Sequence, residues 1–289
     1  MNGAVIFNSS HSEEMEMFAR TAAKKLGLSI KIITSNNLFY TLNGDLPDEL
    51  AGLDYVVFYD KDCGLMKCLE NHGIRCFNSS QTILDCDNKA IMYAIMEKHK
   101  IPFAKTSVMP FLFSFSVDRL ENYIKSLIHS FGFPMVAKKF HGSQGLSVFK
   151  IENEEQLRKI IVEKYSDGLL FQEFVEVDEN NPYDIRVNIV GNEICSSVKR
   201  VAKNGDFRSN LGSGGYAQKI EISEQEKEIA LLTAKAFGCD FCGVDILRTK
   251  NGPLVCEINS NPSFKSTMEV YGKNVLENIF VYCEKTMTC

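Results

Sequence analysis

Along the first 86 residues, apolar runs of strand length alternate with stretches whose apolar positions recur at helical spacing. Ala4–Asn8, Ser29–Thr34 and Tyr55–Tyr59 are the apolar runs, and Glu13–Leu26 and Gly64–His72 lie between and after them with the helical period. Regular β–α–β alternation predicts a small parallel sheet covered by helices, an N-terminal domain over 1–86. Ligands favour the carboxyl ends of strands in such sheets. The segments N-S-S-H-S after Phe7 and D-K-D-C-G after Tyr59 are therefore candidate substrate-facing loops, with plain connecting turns as the alternative.

The pattern then predicts a helix over Asp87–His99, with Asp87 as N-cap and I-P at 101–102 as its stop. A smaller unit follows: strand 105–109, helix 117–130, strand 134–139, a glycine loop, strand 146–150 and helix 153–164. Linker helix and small unit together occupy 87–168, with a boundary near Gly168. The C-terminal domain, 169–289, opens on an apolar strand at 169–177. It continues with a helix at 223–237, two strands joined through N-G at 251–252, and a closing helix near 273–285. The class is α/β, with α+β lobes after the parallel unit.

Composition removes some readings. The 289 residues are 45% hydrophobic and 24% charged, as in a globular protein with a sizeable core. A net charge of −5 argues against broad nucleic-acid binding. No apolar run reaches the length of a membrane span, and M-N-G-A-V-I-F-N reads as a first strand rather than a signal peptide, so a cytoplasmic protein is expected. In that compartment the ten cysteines are free thiols, and the lone C-x-x-C of Cys239 and Cys242 runs into a buried strand and is read as packing.

Four segments carry chemistry. G-V-D-I-L at 243–247 and E-I-N at 257–259 form a hairpin that brings Asp245 beside Glu257 and Asn259. Two carboxylates and an amide oxygen suit Mg²⁺ that also holds substrate phosphates, and an ordinary hairpin with its polar residues in water is the alternative. P-M-V-A-K-K-F-H-G-S-Q-G-L-S-V at 134–148 places two lysines before a loop with Gly142 and Gly145. Such a loop lets backbone N–H groups approach phosphate, although a simple β-turn has the same composition. Strand alternation puts Lys138 and Lys139 on opposite faces, so at most one points into a site. L-L-F-Q-E-F-V-E-V at 169–177 is either a core strand or a hinge that holds a base by its backbone. Asp184 and Arg186 share a strand face, and Arg186, Arg200 and Arg208 suit an anion if they converge, with scattered surface arginines as the alternative.

The ordered series D-N-K at 87–89, I-P-F-A-K-T, V-A-K-K-F-H-G-S-Q-G, Q-E-F-V, D-I-R, D-F-R-S-N, G-V-D-I-L and E-I-N-S-N-P resembles the ATP-grasp ligases. More closely it resembles their RimK branch, whose best-known member adds glutamate to the C-terminus of a ribosomal protein. The resemblance covers roughly 85–285, and the N-terminal unit fits the domain that precedes the ATP-grasp in this family. It implies an ATP-grasp fold with a small lid over the nucleotide. Lys89 and Lys138 match the phosphate-binding lysines, and Gly142, Ser143 and Gly145 the lid loop. Glu173, Phe174 and Val175 match the adenine hinge, with Glu176 or a neighbouring acid for the ribose. Asp184 matches the acid that follows the hinge, and Arg208, Ser209 and Asn210 match the stretch at the phosphate end. Asp245, Glu257 and Asn259 match the ligands of two Mg²⁺ ions, with Mn²⁺ as a substitute.

The resemblance also implies the reaction: a carboxylate takes the γ-phosphoryl of ATP, and an amine displaces phosphate from the acyl phosphate. Arg186, Arg200 and Arg208 are the candidates for stabilising its charge, and no histidine has a clear role as base. The implied partners are ATP, an amino acid such as glutamate, and a carboxylate on a peptide, protein or small molecule, in a dimer or tetramer. Two loops depart from the branch: N-L-G-S-G-G at 210–215 has Gly212 and Ser213 where a basic residue is usual, and S-N-P-S-F-K-S-T at 260–267 replaces the usual tail. Both bear on the acceptor. The alternatives are an ATP-grasp enzyme that forms ester or amide crosslinks in a modified peptide, and a nucleotide-binding regulator without turnover.

Overall fold

The computed structural model describes residues 1–8, 12–142, 145–177, 182–202 and 215–288. The N-terminal unit comprises β1 (Gly3–Phe7), α1 (Ser12–Leu26), β2 (Ile30–Thr34), β3 (Tyr55–Tyr59), α2 (Cys63–Asn71), β4 (Arg75–Phe77) and α3 (Ser80–Asp87). Its sheet runs β2–β1–β3–β4, every pairing parallel. Val5 and Phe7 pack on one face with Phe18 and Ala22 of α1, while Ala4 and Ile6 pack on the other with Leu65 and Leu69 of α2. Burial on both faces is why these strands read as unbroken apolar runs.

A helix α4 (Lys89–Lys98) leads out of this unit. Its N-cap is Asn88, whose side chain accepts from the amides of Ala90 and Ile91. The expected cap, Asp87, instead ends α3, and its carboxylate is taken by Lys61 and His141. The small unit follows with β5 (Thr106–Val108), α5 (Glu121–Phe131), β6 (Met135–Lys139), β7 (Val148–Ile151), α6 (Glu154–Lys164) and β8 (Leu169–Glu173). Its antiparallel sheet runs β5–β8–β6–β7 and packs Met135, Ala137 and Phe171 against Ile124 of α5 and Leu157 and Ile161 of α6. The sheet therefore continues past Gly168, a turn residue at φ 68°, to Glu173. The second half of the expected strand at 169–177 lies outside any strand.

The third unit holds β9 (Tyr183–Val190), β10 (Glu193–Val201), β11 (Tyr216–Lys219), α7 (Glu224–Ala236), β12 (Phe241–Thr249), β13 (Gly252–Asn259), α8 (Lys265–Tyr271) and α9 (Val275–Thr288). Its sheet is antiparallel in the order β11–β10–β9–β12–β13. One face packs Ile185, Val187, Val244 and Ile246 against Met92 and Met96 of α4 and Ile229 and Ala230 of α7. A capping box between Ser223 and Glu226 fixes the start of α7. Helix α9 returns to the N-terminal unit, where Leu276, Ile279 and Phe280 share a core with Val5, Phe18 and Tyr55. Cys239 and Cys242 sit with Cys86 in the core of the third unit as free thiols, in line with packing. No helix among the described residues is long and apolar enough to cross a membrane.

Asn78 ties the N-terminal unit to the third. It is fully buried, donates to the carbonyls of Phe241 (2.8 Å) and Ser260 (2.9 Å), and accepts from the amides of Asp240 (2.7 Å) and Phe241 (3.2 Å). Asn78→Ala strands these backbone groups in a dry interior and should lower unfolding stability by roughly 3–5 kcal/mol. Urea unfolding of the whole chain checks this, and a change under about 1 kcal/mol would contradict the anchoring role.

Candidate active site

A cavity of about 470 Å³ opens between the small sheet and the face of the third sheet opposite α4 and α7. Val136, Val148, Phe174, Val175, Leu247 and Leu254 give its wall an apolar part. Lys89, Lys138, Asp184, Arg200, Asp245 and Glu257 give it a charged part. Gly142, Gly145 and Glu173 also line it.

The charged groups of the third sheet are placed by strand register. Asp245 on β12 lies directly opposite Glu257 on β13, and Gly243 opposite Asn259. Directly opposed residues share a face, so all three candidate metal ligands are on the cavity side. On the other edge of β12, Asp245 lies opposite Arg186 of β9, and Asp184 of β9 lies opposite Arg200 of β10. These cross-strand pairs are closed by hydrogen bonds. Arg186 grips Asp245 with Nε and Nη2, the latter at 2.8 Å. Arg200 holds both oxygens of Asp184 at 2.5–2.6 Å and reaches Asp245 at 2.9 Å. Gly243 makes room for this, since a β-carbon there would lie 2.7 Å from Cδ of Arg186.

On β6, alternation separates the two lysines. Lys138 is buried and faces the cavity, whereas Lys139 pairs with Asp167 at 2.7 Å. Lys89, from the first turn of α4, donates to the carbonyl of Gly142 at 3.0 Å and pairs with Glu257 at 2.9 Å. It thus links the glycine loop of the small unit to the candidate metal strand. Gly142 adopts φ 146°, and a β-carbon there would collide with Ser147 Oγ, so the turn requires glycine. Glu173 accepts from the amide of Lys105 at 2.8 Å, and the Phe174 ring lies 5.1 Å from Nζ of Lys150.

Burial and pairing set the ionisation. Burial pushes the Asp184 carboxyl up to about 6, and Arg200 draws it only partly back. Burial would raise Asp245 too, but Arg186 and Arg200 outweigh it and hold that carboxyl below the usual carboxylate range. Burial also works against the Lys138 ammonium, yet Cys256, the Tyr93 hydroxyl and Glu257 hold its pKa above the ordinary lysine value.

Arg186 and Asn259 reach the site through Asp245, with the Asn259 amide 3.3 Å from Asp245 Oδ2. Ser143, Arg208, Ser209 and Asn210, together with Gly212 and Ser213, lie outside the described residues. In the other divergent loop, Phe264 is buried in the core against Tyr59 and Lys265 begins α8. The sequence reading missed Tyr93, Lys150, Gln172 and Cys256, which also line the cavity. Tyr93 was findable, one helical turn after Lys89, and Lys150 shares a strand face with Val148. Cys256 was not, because it is the bulged residue between the pairs Asp245–Glu257 and Ile246–Val255.

The donor set fits Mg²⁺. Asp245, Glu257 and Asn259 offer hard oxygen ligands on adjacent strands, and the carboxylates are now neutralised by Arg186, Arg200 and Lys89. Among the described residues no group of three or more His, Cys, Asp or Glu side chains is arranged to hold a metal, and Asn259 stands beside the two carboxylates as a candidate third oxygen donor. A cavity with an apolar slot, two lysines and an acidic hairpin can seat a nucleotide with its phosphates toward the charged wall.

Comparison with known proteins agrees with this geometry. A family model described as the RimK-like ATP-grasp domain matches residues 86–282. A probable alpha-L-glutamate ligase of Vibrio atlanticus is 34% identical over 267 residues, covering 90% of this chain and 84% of the relative. A protein of the same description from Coxiella burnetii is 31% identical over 282 residues, covering 92% and 90%. Among solved structures, a RimK domain ATP-grasp protein from Sphaerobacter thermophilus superposes with a TM-score of 0.72 at 15% identity over 97% of this chain and 98% of that one. D-alanine–D-alanine ligase from Bacillus anthracis superposes with a TM-score of 0.70 at 17% identity over 100% and 99%. The fold is the ATP-grasp, and the chain belongs to the RimK-like ATP-grasp family.

Proposed function

We propose that this chain is an ATP-dependent carboxylate–amine ligase that joins an amino acid such as glutamate to a carboxylate on a peptide, protein or small molecule. The observation that carries this reading is the convergence of Lys89, Lys138, Asp245 and Glu257 on one cavity beside an apolar slot. Its relatives named as probable alpha-L-glutamate ligases support the choice of amino acid.

Each residue then has a task. Phe174 and Val175 flank the base, and Glu173, held by the Lys105 amide, sets the strand end that leads to them. Lys89 and Lys138 neutralise the phosphates. Asp245, Glu257 and Asn259 would hold two Mg²⁺ ions, which supply further charge neutralisation at the transferring phosphoryl. Asp184 and Asp245 hold Arg200 and Arg186 beside the cavity before substrate arrives, from where a guanidinium turns toward the acyl phosphate and the tetrahedral oxyanion as Asp245 takes up metal. The unit from β5 to β8 acts as a lid that excludes water from the acyl phosphate. The expected division at about 1–86, 87–168 and 169–289 cuts β8 from the small sheet to which it belongs, so the lid extends to Glu173.

Mg²⁺-dependent ADP release, assayed against amino acids paired with peptide and small carboxylate acceptors, tests the reading. One pair should stimulate release and yield a product with the mass of the amide, and nucleotide binding without release for any pair would favour a regulator. Glu257→Ala should reduce ADP release by at least about a hundredfold with the far-ultraviolet spectrum unchanged, because it removes a candidate metal ligand and the partner of Lys89. Residual activity within about tenfold of the unaltered chain would remove Glu257 from the site. Lys138→Ala should raise the ATP dissociation constant by about tenfold or more, and Lys139→Ala by less than about threefold. Equal effects would mean that the cavity is not where the phosphates bind.

A further inference from the structure

Tyr93 stands where the three parts of the site meet. It lies on α4, one turn beyond Lys89, and is 3% exposed. Its hydroxyl accepts from Nζ of Lys138 at 3.1 Å and donates to the carbonyl of Cys256 at 2.6 Å. Gln172 Oε1 is a longer neighbour at 3.4 Å. The ring packs on Phe103, with centroids 5.1 Å apart, and lies 5.6 Å from the Lys138 ammonium.

Both partners of the hydroxyl are unusual for their surroundings. Lys138 is a cation with 7% exposure on a lid strand. Among the described residues its other hydrogen-bonding neighbour is Cys256 Sγ at 3.8 Å, a poor acceptor. The Cys256 carbonyl belongs to the bulge in β13, immediately before Glu257. A bulge leaves its extra residue without a partner in the strand pair, and the peptide that follows is free to tilt unless something else fixes it. A phenol satisfies both needs at once, as acceptor toward the lysine and donor toward the carbonyl, and a phenylalanine of the same shape satisfies neither.

We propose that Tyr93 is a positioning residue for nucleotide phosphates, its hydroxyl fixing the Lys138 ammonium of the lid relative to the bulge that aims Glu257. This rests on the ligase reading given above. The hydroxyl touches neither the reacting carboxylate nor the amine, and it acts through Lys138 and through the Cys256–Glu257 peptide. Because the two contacts come from different sheets, the same hydroxyl also holds the lid strand in register with the metal strand.

The test is a double-mutant cycle on the full chain, with affinity for Mg²⁺–ADP read by calorimetry and, for weak variants, by thermal shift up to millimolar nucleotide. Tyr93→Phe keeps the ring against Phe103. It should weaken nucleotide binding by about tenfold and raise the KM for ATP more than it lowers kcat. In a Lys138→Met background Tyr93→Phe should lose most of its effect, keeping only the part carried by the Cys256–Glu257 peptide, while in a Lys139→Ala background it should keep its full effect. A purely structural role predicts instead the same loss in both backgrounds, and that result overturns the proposal. Unchanged affinity in Tyr93→Phe overturns it as well. If the unaltered chain binds no nucleotide, the ligase reading and this inference both fall, whereas binding by the unaltered chain with no effect of Tyr93→Phe removes this inference alone.

Discussion

The structure depends most on how it keeps Asp245 charged in a dry place. This carboxylate is 4% exposed, and an isolated charge there would be untenable. Register solves the problem, because β9 and β10 deliver Arg186 and Arg200 to the same face. Losing one partner of such a buried pair typically costs about 3–5 kcal/mol, so the four residues Asp184, Arg186, Arg200 and Asp245 stand or fall together. The same arrangement places the Arg200 guanidinium at the wall of the cavity, with Arg186 behind it on Asp245.

From that constraint the wider architecture follows. The face of the third sheet that carries these charges cannot pack on an apolar layer, so the helices α4 and α7 cover the opposite face. The charged face is closed over by the small antiparallel sheet, which contributes Lys138 and an apolar wall. Lys89 and Tyr93, both on α4, bond to the glycine loop, to Lys138 of the small sheet and to β13. A single helix thereby sets the spacing between two sheets. The N-terminal unit is joined to this assembly through Asn78 and through α9, whose apolar residues share a core with Val5 and Phe18.

Much of this was legible in the sequence because it rests on periodicity. Fully buried parallel strands announce themselves as apolar runs, and the N-G turn marks the hairpin that puts Asp245 on one strand and Glu257 and Asn259 on the next. The separation of Lys138 from Lys139 follows from strand alternation. What was not legible depends on contacts between distant segments. Short elements such as β4 and α3 have too few residues to show a period. Arg186 and Arg200 were read as suited to an anion if they converge, and only the strand order shows that carboxylates already hold them. The bulge at Cys256 shifts a register that alternation alone would carry through, and Asn88 rather than Asp87 caps α4 because Asp87 is occupied by Lys61 and His141.

The proposed nucleotide site is the cavity between the two sheets, with Arg186 and Arg200 held beside it by buried acids. A crystal structure of the chain with ADP and Mg²⁺ tests it most directly. Phosphates should lie against Lys89 and Lys138, the base beside Phe174 and Val175, and metal on the oxygens of Asp245, Glu257 and Asn259, with Arg186 or Arg200 turned from Asp245 toward the anion. Nucleotide bound elsewhere, or metal held without Asp245 and Glu257 while both arginines keep their present bonds, would contradict it.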